Sequence, residues 1–237
     1  MNPQPTAPCA PHRRETSCPT CDLVGGGARA AALRGVCSGR ISSLRTLHRE
    51  GDPFLYVHAV RVGTFKSTVS LADGREQVCG FHLPGEFISV DGGWDGLHPT
   101  TVTALEDSQT CAIPYAALLK VAAGMPTLQQ LLYRSMGREL SRARRHMLVL
   151  GNMNAGERVA AFLLDMSQRS LARGYSKNEF VLRMSRAEIG SYLGLSLETV
   201  SRVLSGFKRA RHLDVDNRVI RINDLEGFTR AFESAVA

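Results

Sequence analysis

The sequence predicts an α+β chain: an N-terminal antiparallel β-roll, one long helix, and a C-terminal winged helix-turn-helix. Three observations carry this expectation. Short β-rich runs recur between Leu55 and Tyr115, an unbroken apolar seam follows Pro126, and residues 182–213 read as helix, glycine turn, helix.

The β-rich runs are Leu55–Val60, Thr64–Leu71, Gln77–Leu83, Phe87–Val90, Thr101–Ala104 and Thr110–Ile113. Turn residues separate them at Gly63, Asp73-Gly74 and Pro84-Gly85. Short strands at such regular spacing imply a roll or barrel. Asp73-Gly74 reads as a type I′ hairpin turn, whose two central residues both need positive φ.

From Pro126 to Leu150 the chain reads as one helix, with proline in its first turn where no amide donor is lost. Tyr133, Leu140 and Met147 recur every seven residues, as do Met136, Ala143 and Leu150. Interleaved, the two series form the narrow seam of a coiled coil. Arg134, Arg138, Arg142, Arg144 and Arg145 lie off it. At full length the helix spans roughly 37 Å, enough for a spine through which two copies pair. Gly151–Asn154 is expected to break it, and Glu157–Arg169 to open a helical unit with Val159, Phe162, Leu163 and Met166 inward.

The helix-turn-helix is signalled residue by residue. Ser185 followed by Glu188 is a capping box. Ile189 and Leu193 supply an apolar stripe, and Gly194 stops the helix where a left-handed backbone is needed. Ser196 caps the second helix, with Val200, Val203, Leu204 and Phe207 inward. Glu198, Ser201 and Arg202 share its outer side at i, i+3, i+4 spacing. They offer a carboxylate acceptor for cytosine N4, a hydroxyl, and a guanidinium fork for guanine O6/N7, with double-stranded DNA as the partner. Residues 213–222 then form two short strands around Asp216-Asn217, a wing in which Arg218 and Arg221 are placed to meet phosphates.

The run Ile189-Gly190-x-Tyr192-Leu193-Gly194-Leu195-x-x-Glu198-Thr199-Val200-Ser201-Arg202 closely resembles the helix-turn-helix of the CRP/FNR superfamily of bacterial transcription regulators. Its Glu-x-x-Ser-Arg face is similar to the fumarate and nitrate reduction branch. The resemblance spans about Gly51 to Phe232. It implies a cyclic-nucleotide-binding-like β-roll over 46–125, a dimerisation helix over 126–150, a winged helix-turn-helix over 151–237, and a cysteine-containing segment over 1–45. It further implies a homodimer reading a TTGAT-type half-site repeated as an inverted ATCAA, with RNA polymerase as a partner. Glu198, Ser201 and Arg202 would read the bases, joined by Ser196, Thr199 and Arg218 in the contact set.

Composition agrees with this class. At 237 residues, 43% hydrophobic and 22% charged, the chain is long enough to bury one large or two small cores. Of a formal charge of +7, a net +4 falls in residues 183–221, around the proposed reading helix. The sequence has no apolar run of membrane-spanning length, and residues 1–30 carry no basic-then-apolar signal pattern. A cytoplasmic protein without a membrane partner is expected.

Six cysteines in such a compartment argue for metal or redox chemistry over structural disulfides. Cys18-Pro-Thr-Cys21 can bring two thiolates to one centre, a pattern equally compatible with an iron–sulfur cluster, zinc or a dithiol switch. Cys37 follows after fifteen residues. Glu106-Asp-Ser-Gln-Thr-Cys111-Ala-Ile-Pro-Tyr115 resembles the family segment that carries a distant fourth ligand. The resemblance implies a 4Fe-4S cluster held by Cys18, Cys21, Cys37 and Cys111, and with it oxygen sensing. The third cysteine comes later than in the family, and a family helix before Gly51-Asp52 is missing. Widening a loop from about five to about fifteen residues costs only about 1 kcal/mol, so chain entropy does not forbid the cluster. A short helix is expected over 28–34. Cys9 and Cys79 read as bystanders, Cys79 as a small buried hydrophobe, and His82 as a packed β-roll histidine.

Cyclic nucleotide is not expected as a cofactor. Pro84-Gly85-Glu86 keeps the turn of phosphate-binding relatives, but the later segment reads Leu97-His98-Pro99-Thr100-Thr101-Val102. From Lys66 to the long helix the sole arginine is Arg75, in a turn. A buried phosphate without a guanidinium is costly. An enzyme is not expected either: the strands lack the His-x-His constellation of a β-roll metalloenzyme, and no nucleophile elbow or phosphate loop occurs. A cluster-free regulator, constitutive or thiol-controlled, is the alternative within the same class.

Overall fold

The computed structural model describes residues 36–37, 40–92 and 94–232, with 36 and 37 described as backbone. Cys9, Cys18, Cys21 and the helix expected over 28–34 lie outside these residues. Two compact units are present, one ending at Leu140 and the other beginning at Ser141.

The first unit holds two four-stranded antiparallel sheets. One is ordered β1-β8-β3-β6, from β1 (Val36–Cys37), β3 (Tyr56–Val62), β6 (Phe87–Ile88) and β8 (Gln109–Pro114). The other is ordered β2-β7-β4-β5, from β2 (Thr46–His48), β4 (Phe65–Ser70), β5 (Glu76–His82) and β7 (Thr101–Ala104). All six expected strands are present; β1 and β2 are additional.

Period-two alternation explains how the sheets pack. Val57 and Ala59 of β3, Phe87 of β6, and Cys111 and Ile113 of β8 share one core with Leu118 and Ala122 of α1 (Tyr115–Ala123). Leu128, in the first turn of α2 (Pro126–Asn152), completes it. The intervening Val60 and Ile88 turn the other way, into a core with Phe65, Val102 and Ala104 of the second sheet. The sheet β1-β8-β3-β6 is therefore buried on both faces.

Asp73-Gly74 departs from the expected two-residue turn. Gly74 has φ +84°, whereas Asp73 is not among the positive-φ residues, and residues 71–75 form a longer loop. Asp73 instead accepts hydrogen bonds from the Arg75 amide (3.1 Å) and guanidinium (2.8 Å), which stabilise that loop. Cys79 also corrects the sequence reading: it lies on the outer face of β5 and is exposed.

The long helix runs from Pro126 to Asn152, so Gly151 is inside it and the break falls at Met153-Asn154. In the second unit, α3 (Ala155–Leu171) starts at a capping box between Asn154 and Glu157. Val159, Phe162, Leu163 and Met166 are buried as expected. They belong to a core with Ile189 and Leu193 of α4 (Arg186–Leu193) and Val200, Leu204 and Phe207 of α5 (Leu197–Arg209). A three-stranded sheet follows, ordered β10 (Leu213–Asp216), β11 (Val219–Ile222), β9 (Glu179–Val181). A short α6 (Leu225–Ala231) packs Phe228 edge-on to Phe207, ring centroids 5.4 Å apart. No described helix is long and apolar enough to cross a membrane.

Between the two sheets of the first unit lie four buried histidines, His48, His58, His82 and His98. The His48 and His98 rings stack at 3.6 Å. Hydroxyls hold three of the four: His48 to Ser89 (3.0 Å), His58 to Thr110 (3.3 Å) and His82 to Ser67 (3.3 Å). The Nδ1 atoms of His48 and His98 have no hydrogen-bond partner among the described residues. Burial, reinforced by repulsion from the neighbouring histidines, lowers His48 to about 2. Burial and His98 lower His58 to about 3. Both rings are neutral when folded, whereas an unfolded histidine protonates near 6.5. Between these values the unfolded chain binds the extra protons, so stability falls as pH drops below about 6.5. Each histidine contributes up to about 1.4 kcal/mol per pH unit in that window. Urea unfolding of the full chain between about pH 7 and pH 5 is expected to show this loss, and a His48→Gln variant a shallower one. A flat profile would contradict neutral burial.

Candidate nucleic-acid interface

The second unit builds the reading head from helix ends. Ser185 Oγ accepts from the Glu188 amide (3.2 Å) while Glu188 Oε2 accepts from the Ser185 amide (2.7 Å). Both partners of the predicted capping box are in place, which fixes where α4 begins. It ends at Gly194, whose φ of +63° suits a residue without Cβ. Gly190 is required for another reason: a Cβ there would lie 2.5 Å from the Leu195 carbonyl oxygen. Only hydrogen lets the turn fold so closely against α4.

Ser196 caps α5 by accepting from the Thr199 amide at 3.2 Å. With Val200, Leu204 and Phe207 buried, Glu198 and Arg202 are exposed on the opposite side and Ser201 is half-buried between them. The Thr199 hydroxyl accepts from Arg202 Nη2 (3.2 Å) and lies 3.1 Å from Ser196 Oγ. Ser196 and Thr199 thus form a short polar chain that holds the guanidinium at one edge of the helix. Hydrogen bonds from its own backbone amide, then from Ser196, with the nearby Arg202 charge, keep the Glu198 carboxyl below its ordinary range. An ionised acceptor and a guanidinium therefore stand one turn apart on an exposed helix face, the donor–acceptor pair that major-groove edges accept.

The wing is pinned to α4 and to the segment that precedes it. Its turn has Asn217 at φ +53°, and the Asn217 carbonyl accepts from Arg186 Nη2 at 3.3 Å. Arg218 Nη1 donates to the Arg183 carbonyl (3.1 Å), directing its guanidinium along the segment before α4. Arg221, expected to meet phosphate, is ion-paired with Glu179 of β9 at 3.0 Å, and both side chains keep about half of their exposure. The sequence reading did not identify β9. Its single buried residue, Phe180, gave too little alternation to signal a strand.

In the first unit, the register of β1 with β8 sets Cys37 directly opposite Cys111. Cys111 is 1% exposed, on the face of β8 that packs against α1 and α2. Among the described residues no group of three or more His, Cys, Asp or Glu side chains is placed to hold a metal. The Pro84-Gly85-Glu86 turn is closed on itself, Glu86 Oε2 accepting from the Leu83 amide at 3.0 Å. Arg75, paired with Asp73 in its loop, is largely exposed.

The seam expected on α2 is distinguishable from the side that packs within its own fold. Leu128 and Val149 are buried, whereas Tyr133 is 72% and Met147 65% exposed. Met136, Leu140 and Ala143 are exposed too, and Leu150 is half-buried.

Comparison with known proteins agrees with both halves. Residues 157–231 match the Crp-like helix-turn-helix domain and residues 40–124 the cyclic nucleotide-binding domain. The transcriptional regulatory protein btr of Bordetella pertussis is 44% identical over 188 residues, covering 79% of this chain and 78% of that protein. The fumarate and nitrate reduction regulatory protein of Salmonella typhimurium is 40% identical over 192 residues, covering 78% of this chain and 77% of its own. Among solved structures, FixK2 from Bradyrhizobium japonicum superposes with a TM-score of 0.73 at 34% identity, over 81% of this chain and 94% of that one. Relatives alike over both halves, with a helix-turn-helix in common, make this chain a DNA-binding transcription regulator of the CRP/FNR family and not an enzyme.

Proposed function

We propose that the protein is an oxygen-responsive regulator that binds an inverted TTGAT–ATCAA repeat as a homodimer. Its reading residues are Glu198, Ser201 and Arg202, supported by Ser196, Thr199 and Arg218. The observation that carries the sensory part is the β1–β8 register, which brings the late Cys37 opposite Cys111. Cys37 comes later in the chain than the family's third cysteine, and this register supports it as a ligand. Cys18, Cys21, Cys37 and Cys111 would hold a 4Fe-4S cluster, which supplies iron–sulfide chemistry reactive toward oxygen.

The chain's own contribution is the route from that site to the dimer helix. Cys111, Leu118, Ala122 and Leu128 occupy one core, so a constraint at Cys111 bears on the first turn of α2. The exposed seam of Tyr133, Met136, Leu140, Ala143 and Met147, with Leu150 at its end, is where a second copy would pack. No cyclic nucleotide enters this reading. Between Lys66 and α2 the sequence offers a phosphate no guanidinium but that of Arg75, which is engaged in its own loop.

Specificity is tested by two substitutions. Arg202→Ala is expected to lose about 1–3 kcal/mol on the matched site and to relax selectivity there. Arg218→Ala should weaken all duplexes alike and flatten the salt slope. Equal losses on matched and scrambled DNA for both variants would remove the reading assignment.

Dimerisation is tested at Ala143, where two-fold symmetry would set two copies together. Ala143→Asp opposes two carboxylates in a desolvated seam. Sedimentation should report a monomer, and palindrome affinity should fall by about a hundredfold or more as bivalency is lost. An unchanged dimer would place the contact elsewhere.

The sensory reading is tested on protein purified without oxygen. Serine at Cys18, Cys21, Cys37 or Cys111 should lower iron and sulfide content and abolish the broad visible absorbance. Cys9→Ser and Cys79→Ser should leave both unchanged. Iron-free protein that binds DNA equally well in air would leave the cluster-free regulator in its place.

A further inference from the structure

Three carbonyl groups from three segments of the second unit converge on one guanidinium. Arg158 Nη2 donates to Leu150 O in the last turn of α2 (2.8 Å), and Nε to Met153 O at the break (2.8 Å). Its Nη1 donates to Leu193 O, the final residue of α4 (3.0 Å). The last four carbonyls of a helix have no partner within it and carry the negative end of the helix dipole. Arg158 satisfies two such ends at once. A guanidinium does this because its donors leave in fixed directions in one plane; an ammonium offers the charge without the fork.

The surroundings leave this arrangement little play. A Cβ at Gly194 would lie 3.3 Å from Arg158 Nη1 and 3.5 Å from Leu150 Cδ2. A second tie lies nearby: His146 of α2 stacks on Tyr192 of α4, ring centroids 4.0 Å apart and planes within 15°. From Leu193 the chain reaches the first residue of α5 within four residues. The orientation of α4 against residues 146–153 therefore sets that of the reading helix.

We propose that Arg158 is a positioning residue that locks the reading helix to the C-terminal turns of α2 and thereby sets the half-site spacing a dimer accepts. The proposal rests on the homodimer–palindrome reading above. In such a dimer, Ala143, Met147 and Leu150 lie at the two-fold, and Arg158 grips the Leu150 backbone itself. Two recognition helices in successive major grooves must stand about 34–36 Å apart. Each inserted or deleted base pair both shifts and rotates one half-site relative to the other. A rigid link between seam and reading helix penalises that change; a loose link tolerates it.

The test uses the full-length chain, kept anaerobic, and duplexes in which the spacer between TTGAT and ATCAA is changed one base pair at a time. Wild type should show a sharp affinity optimum at one spacing. Arg158→Lys and Arg158→Met should keep the dimer and the affinity for an isolated half-site, yet lower the preference for the optimal spacing about tenfold. Should Arg158→Met unfold, Arg158→Lys retains the charge and carries the test alone. An Arg158→Lys optimum as sharp as wild type overturns the proposal. So does a loss of half-site affinity that tracks a lowered Tm, which would make the residue merely structural. A wild-type dimer with no spacing optimum, or a wild-type monomer, overturns the palindrome reading and this proposal with it.

Discussion

Burial of β3 and β8 on both faces is the constraint on which the β-sheet half depends. A strand buried on one side can slip in register at the cost of exposing one set of side chains, but a strand buried on both sides has no solvent face to offer. Val57 and Ala59 must meet α1 and α2 while Val60 meets the second sheet. This fixes which way Cys111 and Thr110 of the paired strand can face. Cys111 is placed toward the helices, and Thr110 toward the histidines, where it bonds His58. The same alternation thus puts the proposed ligand in one core with the first turn of α2 and encloses a set of neutral imidazoles between the sheets.

In the DNA-binding half the corresponding constraint is the satisfaction of helix ends. Short helices have a large share of unpaired backbone groups, so their boundaries are set by what pairs them. Asn154 with Glu157, Ser185 with Glu188, and Ser196 with the Thr199 amide supply acceptors at three N-termini. Arg158 supplies the donors at two C-termini. Stability and recognition meet in these groups: Ser196 and Thr199, which begin α5, also support the exposed Arg202.

Much of this was legible in the sequence because it depends on neighbours a few residues apart. The Ser185–Glu188 capping box, the Gly194 stop, the inward stripes of α3 and α5 and the six main strands all follow from local spacing, and each is present in the fold. Local reasoning failed where a partner far along the chain decides. The pairing of Arg221 with Glu179 could not be read, because β9, some forty residues earlier, supplies the partner. Two other misses were local: Asp73 fitted a two-residue turn but is drawn onto Arg75, two residues on, and Cys79 fitted a core strand but lies on its outer face.

The sequence by itself determined the six main strands, the long helix and the helix-turn-helix, with the polar face of the reading helix and the apolar seam on α2, since helix and strand periods are written in consecutive residues. Tertiary structure alone decided three things. It set Cys37 opposite Cys111 across the β1–β8 ladder. It gathered His48, His58, His82 and His98 between the sheets. It also drew the carbonyls of Leu150, Met153 and Leu193 onto Arg158. In each case the groups are separated along the chain and have no common period. They meet because burying apolar faces brings their backbones together, and that is a property of the whole fold.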